Sequence, residues 1–246
     1  MNYVQKPPID ETRKSASPVP FALLPNGRLS DISQFESGLV EDGKCPCCGG
    51  ALVAKRGSER AHHFAHYSAT DCNAAVETSL HLAAKQVLVD SVLAGTPFFA
   101  PASGKSDFEK MKFPPIDMPF TEVQCEKSVF LSKKHCRPDA VGIWNAAHLA
   151  IEICVTNPVD EERKAFYEFA GLDCIEIDLG DLQKQFQMTK ALNLNEIAHA
   201  VLKGRINKTW ICRRGYLVYI LRQEPEILKT KEFSHFGKYT LGDEAK

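Results

Sequence analysis

No stretch of this chain approaches the roughly 18 consecutive apolar residues of a membrane-spanning helix. Its first residues, MNYVQKPPIDETRKSASPVP, carry Pro, Ser and Lys where a secretory signal carries an apolar core, so a cytoplasmic protein with no membrane partner is expected. Charge of one sign is lacking as well. With 30 Lys and Arg against 31 Asp and Glu, there is no global basic excess to attract nucleic acid, and any such contact must come from a local patch or a bound metal. A cytosolic chain does not build a disulfide framework, so its nine cysteines need another explanation. Three of them crowd into CPCC at residues 45–48, which points to metal chemistry, and most of the rest read as small core residues.

What is present divides the 246 residues into four parts. Residues 1–20 hold Pro7, Pro8, Pro18 and Pro20 without hydrophobic periodicity and read as a disordered lead-in. Residues 21–72 begin with apolar runs around Pro25-Asn26-Gly27, a hairpin signal, and continue into the cysteine cluster. Residues 73–189 read as a core of helix, three strands, helix and strand, interrupted near 95–119 by an insertion rich in Pro, Gly, Ser and Lys. Its first helix spans 73–93, with Asn73 as N-cap, Gly95 as stop and Leu80, Ala84, Val87 and Leu88 as its apolar stripe. Strands follow at 120–130 and on either side of Asn145-Ala146, then a helix with Asn157 as N-cap and Pro158 first, ended by Gly171, and the strand CIEIDL. Short joints between strand, helix and strand imply a parallel crossover, hence an α/β (α+β) fold. Residues 190–246 read as an extension: a helix in LNEIAHAVLKG, a strand in WICRRGYLVYILR and a tail.

The greasy segment RPDAVGIWNAAHLAIEIC, residues 137–154, carries one acid in each of its two strands. With Asn145-Ala146 as the hairpin turn, facing residues sum to 291, and Asp139 falls opposite Glu152. Two carboxylates on one face repel and require a cation or a shared proton. Either Arg137 or a lysine pairs with each at a solvent edge, or the pair holds a divalent ion. Glu77, His81 and Lys85 recur every four residues of the first helix as one polar seam, which is either a solvated edge or the wall of a cleft. Carboxylates converging from that helix and the two strands suit Mg²⁺ or Mn²⁺ and phosphodiester hydrolysis, with His81 or Lys85 positioning water or phosphate.

The segment from Lys44 to Cys72 carries the second pattern. Cys45-x2-Cys48 followed by Gly-Gly reads as a zinc knuckle, and the second pair of ligands is open among His63, His66 and Cys72. Cys47 reads as a spectator and His62 as an exposed neighbour. Four protein ligands would make the Zn²⁺ structural. Lys44, Lys55, Arg56 and Arg60 beside it either touch nucleic acid or form a solvated face.

These stretches, ETSLHLAAK together with RPDAVGIWNAAHLAIEICVTNPVDEERKAFYEFAGLDCIEIDL, resemble the nuclease core of CoiA-like competence proteins, members of the PD-(D/E)xK restriction-endonuclease-like superfamily, and the resemblance covers about residues 21–180. It implies a restriction-endonuclease-like core preceded by a β-hairpin and a zinc ribbon. It also implies Glu77, Asp139 and Glu152 as Mg²⁺ or Mn²⁺ ligands, with His81 and Lys85 completing the site, and DNA, with recombination or DNA-processing proteins, as partners. For zinc it implies Cys45, Cys48, His63 and His66, with Cys72 as an exchange for His63. One departure stands out: Cys154 occupies the position where the superfamily carries Lys and CoiA-like chains often Gln. A thiol cannot replace an ammonium, so that role passes to Lys85 or Lys164. Without such a replacement the chain reads as a degenerate DNA-binding or recombination-accessory module.

Overall fold

The computed structural model describes residues 17–59, 61–68, 72–102, 115–131 and 134–213. Most of the lead-in, Arg60, residues 103–114 of the insertion and everything after 213, including the tail and the end of the last strand read from sequence, lie outside these.

Two sheets meet on one helix, the first antiparallel in all its described pairs and the second mixed. The first sheet contains β1 (Pro18–Val19), β2 (Phe21–Leu23), β3 (Leu29–Asp31), β4 (Gly38–Lys44), β5 (Ala51–Lys55) and β6 (His63–His66), in the spatial order β1-β6-β5-β4-β2-β3. The hairpin read from Pro25-Asn26-Gly27 joins β2 to β3, with Gly27 at φ +78° and its N–H bonded to Leu24 O at 2.9 Å. Residues 17–20 depart from the disordered lead-in. Pro18 and Val19 pair with Ala65 and Phe64, and Val19 is fully buried; an edge strand tolerates the proline because one side of it needs no donor.

Helix α1 (Ala75–Leu93) follows. Its predicted stripe, Leu80, Ala84, Val87 and Leu88, is buried, and Ala83 and Ala84 are small enough for close packing against its neighbours. Gly95 ends it at φ +61°, its N–H reaching Val92 O, as a C-terminal glycine does. The predicted cap fails: position 74, an alanine, precedes the helix and no side chain caps it. Arg28 forks onto Asp90 at 2.6 and 3.0 Å, and Gln86 exchanges two hydrogen bonds with the Leu29 backbone, so the first sheet is fastened along α1.

The insertion is partly ordered: β7 (Phe98–Ala100) pairs with β8 (Ile116–Met118). The strand expected over 120–130 splits at Glu126, whose φ is +54°, into β9 (Glu122–Cys125) and β10 (Val129–Leu131). β10 pairs only with β11 (Lys134–Cys136), as a separate ribbon. β12 (Ala140–Trp144) and β13 (Ala147–Cys154) form the predicted hairpin, with Ala140 opposite Ile151, the register that sums to 291. Both turn residues, Asn145 and Ala146, have positive φ, the twist a two-residue hairpin demands. Gly142 is obligatory, since a Cβ there would lie 2.6 Å from the Phe120 ring.

Helix α2 (Glu161–Ala170) carries β13 over to β14 (Asp173–Asp178) in parallel. Its N-cap is Asp160, whose carboxylate accepts from Arg163 N at 2.8 Å, rather than the predicted Asn157. Asp160 wins because acids at Glu161 and Glu162 then fill the first turn. α3 (Gly180–Thr189), absent from the sequence reading, precedes α4 (Leu194–Ala198), which opens with an Asn193/Glu196 capping box and runs on as a wide turn to Lys203. β15 (Lys208–Cys212) closes the second sheet, ordered β15-β14-β13-β12-β9.

The chain is therefore mixed α/β, and after α1 the second sheet is built from β9, β12 and β13, then α2 and β14, and last β15 beyond α3 and α4. Leu149, Ile151 and Ile153 on β13 join the core that contains α1, while Ala150 alternates to the face shared with Tyr167 of α2. No helix among the described residues is long and apolar enough to cross a membrane.

Candidate metal centre and carboxylate cluster

The knuckle forms where β4 ends. Cys45 N donates to Gly50 O at 2.8 Å and Gly49 N returns to Cys45 O at 2.9 Å, with Gly49 at φ +70°. This turn brings Cys45 and Cys48 together. His66 arrives at the end of β6 and Cys72 just before α1. The ligand atoms of Cys45, Cys48, His66 and Cys72 all lie within 4.8 Å of one another. Cys45 Sγ is 4.0 Å from Cys72 Sγ, and Cys48 Sγ is 3.3 Å from His66 Nε2. His66 Nδ1 sits 3.1 Å from Ser17 O; donating there leaves Nε2 free as the ligand, as oriented metal-binding imidazoles do.

Three thiols and one imidazole at such spacing fit a tetrahedral Zn²⁺, a structural ion with no open position. Burial pushes the Cys45 and Cys72 thiols up. Burial opposes ionisation of Cys48 too, but the Gly50 N–H and the His66 hydrogen bond outweigh it and lower that thiol to about 7. A divalent cation is what would hold all three as thiolates.

His63, read as the third ligand, is the exception. It stands three residues from His66 in one strand, so the two rings face opposite sides of the sheet. Its Nδ1 instead meets Ala61 O at 2.9 Å, and Cys72 takes the vacant place. Cys47 is exposed, as a spectator should be. Lys44 and Lys55 are exposed, whereas Arg56 turns inward to the Phe35 carbonyl.

The polar seam of α1 reaches the second cluster with one end only. Lys85 Nζ lies 3.0 Å from Asp139 Oδ1, and His81 Nδ1 lies 3.7 Å from Oδ2. Glu77 is two turns back, about 12 Å along the axis at about 1.5 Å per residue, and its charge is felt instead at Cys154. Asp139 also accepts from Ile153 N at 2.9 Å. Burial alone would raise its carboxyl, but the His81 and Ile153 hydrogen bonds and the Lys85 charge hold it down at about 2. Lys85 is shared with Glu126 at 2.7 Å, and Arg137 clamps that same Glu126 at 2.7 Å.

Glu152, 2 % exposed, points beneath α2. Tyr167 donates its hydroxyl hydrogen to Oε1, and Arg163 Nη2 stands 2.5 Å from the same oxygen. Burial nevertheless raises Glu152 to about 7, only partly offset by those two partners, and Asp139 adds repulsion. Both acids are thus cation-paired, by Lys85 and Arg163 rather than by Arg137 at a solvent edge. Glu77, Asp139 and Glu152 do not gather into one ligand set; among the described residues, the Cys45 group is where three or more His, Cys, Asp or Glu ligands meet. Carboxylates suit Mg²⁺ or Mn²⁺ as donors, and here Asp139 and Glu152 are paired with Lys85 and Arg163. Cys154 is buried and raised to about 11, first by burial and then by surrounding acids, and Lys164 pairs with Glu161 at the surface.

Sequence reasoning missed Arg163, Tyr167 and Glu126. Arg163 and Tyr167 stand one turn apart on α2, and an even position of β13 faces that helix, so the Glu152 pairing had a readable signal. Glu126 at positive φ had none.

Residues 41–75 match the family model described as competence protein CoiA, N-terminal domain. The matched segment contains Cys45, Cys48, His66 and Cys72. No curated protein and no solved structure matches the chain.

Proposed function

We propose that the chain is a DNA nuclease of the CoiA type, with a structural zinc module fastened to a restriction-endonuclease-like phosphodiesterase core. The convergence of His81 and Lys85 on Asp139, whose charge is felt at Glu152, carries this reading. An ammonium beside a carboxylate and an imidazole offers what phosphodiester chemistry uses: a charge for the phosphate, a group to orient water and a group to pass a proton. Lys85 supplies the cation that Cys154 cannot. The zinc, held by Cys45, Cys48, His66 and Cys72, would keep the knuckle folded.

A second reading is a DNA-binding or recombination-accessory protein that does not cut. The closed Glu152–Arg163–Tyr167 contact favours it, since that carboxylate is spent inside the fold. Incubating the zinc-loaded chain with single-stranded, duplex and flapped DNA, with Mg²⁺, Mn²⁺ or neither, separates the two. The nuclease reading expects divalent-dependent cleavage, reduced at least about 100-fold in Asp139→Ala, a loss of about 2.7 kcal/mol of transition-state stabilisation. Cleavage equal in wild type and variant overturns the site, and DNA bound without cleavage moves the assignment to the accessory protein.

A further inference from the structure

We infer that Glu126 is a positioning residue: it holds the Lys85 ammonium beside Asp139 so that a remaining N–H can meet a phosphate oxygen. This deepens the phosphodiesterase reading and rests on it. A lysine presents its charge on a flexible four-carbon stem, and a single partner does not fix the end of that stem. Lys85 has two. Its Nζ stands 2.7 Å from Glu126 Oε1 and 3.0 Å from Asp139 Oδ1, and its side chain is 12 % exposed. Asp139 is itself committed, since its Oδ2 accepts from Ile153 N at 2.9 Å and faces His81 Nδ1 at 3.7 Å, which leaves Oδ1 for the lysine. Glu126 supplies the second point of attachment. An ammonium carries three N–H donors, so two carboxylates can orient it and still leave one donor for substrate.

Glu126 is built into this place. Its backbone sits at φ +54°, an uncommon conformation for a residue with a Cβ and one that glycine adopts freely. Its N–H donates to Asp139 O at 3.0 Å, its carbonyl accepts from Arg137 Nε at 2.8 Å, and its Oε2 is paired with Arg137 Nη2 at 2.7 Å. The backbone thus ties Glu126 to the acid that shares its lysine, and Arg137 occupies one carboxylate oxygen while the other meets Lys85. A strained backbone held by its surroundings around a charged side chain is the pattern of a residue kept for what that side chain does. Without Glu126, Lys85 keeps only its Asp139 contact of these two and can swing about it.

The test uses the zinc-loaded full chain. Glu126→Gly removes the side chain while suiting the backbone at φ +54°, so the circular dichroism spectrum and the urea midpoint should be unchanged. Glu126→Asn, which tolerates positive φ but is one methylene shorter, gives the same test should glycine loosen the turn. Glu126→Gln keeps an oxygen acceptor at the original reach and should rescue what the other two lose. The first readout needs no cleavage: nitrogen-15 relaxation of the Lys85 ammonium, assigned by its loss in Lys85→Met. It should report a restrained group in wild type and Glu126→Gln and a mobile one in Glu126→Gly. The second is DNA cleavage with Mg²⁺ or Mn²⁺, where kcat should fall about tenfold in Glu126→Gly with KM within about twofold, and recover in Glu126→Gln. An ammonium equally restrained in wild type and Glu126→Gly overturns the inference. Equal losses of kcat in Glu126→Gln and Glu126→Gly would make the effect one of charge and overturn it as well. Wild-type cleavage by a Glu126→Gly protein whose Lys85 has become mobile defeats the positioning role and leaves the nuclease reading standing. A wild type that cuts no DNA defeats the nuclease reading alone, and the ammonium still decides whether Glu126 holds Lys85.

Discussion

The knuckle around Cys45 and the cluster around Asp139 each gather metal-ligand side chains under partial cover, yet they are neutralised differently. Among the described residues, Cys45, Cys48, His66 and Cys72 are held by one another, by neighbouring Cys47 and by the backbone. Asp139 and Glu152 have Lys85 and Arg163 within 3.0 and 2.5 Å. The first group could take an ion among its four ligand atoms; the second is electrostatically satisfied by the protein's own cations. Donor chemistry alone therefore does not define a resident metal site: what already occupies the donors decides whether the fold depends on an ion.

The largest effect that sharpens this contrast is removal of zinc. Chelation should melt the first sheet, because metal binding at such a site supplies on the order of 10 kcal/mol of folding free energy. Circular dichroism and proteolysis around residues 38–66 would record it, and Mg²⁺ should not reverse it. On the other side of the comparison, Arg163→Met removes the cation beside Glu152, and at about pH 8, above the carboxyl's titration at about 7, it should cost about 3–5 kcal/mol in urea unfolding. A loss below about 1 kcal/mol would show that Glu152 has other means of compensation.

Next in size is a pH effect, measured without divalent ions. Burial holds the Glu152 carboxyl at about 7 in the folded protein, above its ordinary 4.5, so the native state keeps a proton that the unfolded state releases. Stability should then fall by about 3 kcal/mol as pH rises from about 4.5 to about 7, at about 1.4 kcal/mol per pKa unit, and Glu152→Gln should remove that fall. Asp139 works in the opposite direction: held at about 2, it stabilises the fold above its ordinary 3.8, a contribution lost as acidification approaches 2. The smallest effect belongs to His63. His63→Ala should leave zinc stoichiometry unchanged and stability within about 0.5 kcal/mol, as for an ordinary surface position.

Periodic features were legible in the sequence. The α1 stripe, the Asn145-Ala146 turn and the hairpin register, with Ala140 opposite Ile151, follow from spacing alone, but the pairing stops short of Asp139, which lies before β12 and reaches Lys85 and His81 of α1 while Glu152 points beneath α2. The knuckle was legible for the same reason: Cys45 and Cys48 are joined by one tight turn. Long-range choices were not. Whether His63 or Cys72 completes the ligands depends on β6 pairing with β5, which turns His63 away from His66, and on where the chain enters α1. Glu77 looked like a partner of Asp139 because a four-residue spacing preserves a helix face, yet the same spacing carries it two turns away along the axis. Glu152's partners were within reach of the same periodic reading, since Arg163 and Tyr167 stand one turn apart on α2, the helix that covers its face of β13.

X-ray absorption at the zinc edge of the full-length protein tests the contrast most directly, since it reads the ion's own neighbours. The account predicts three sulfurs at about 2.3 Å and one imidazole nitrogen at about 2.0 Å. Two sulfurs with two imidazoles would return His63 to the site, and a shell dominated by carboxylate oxygens would place the ion in the Asp139 cluster and contradict the account.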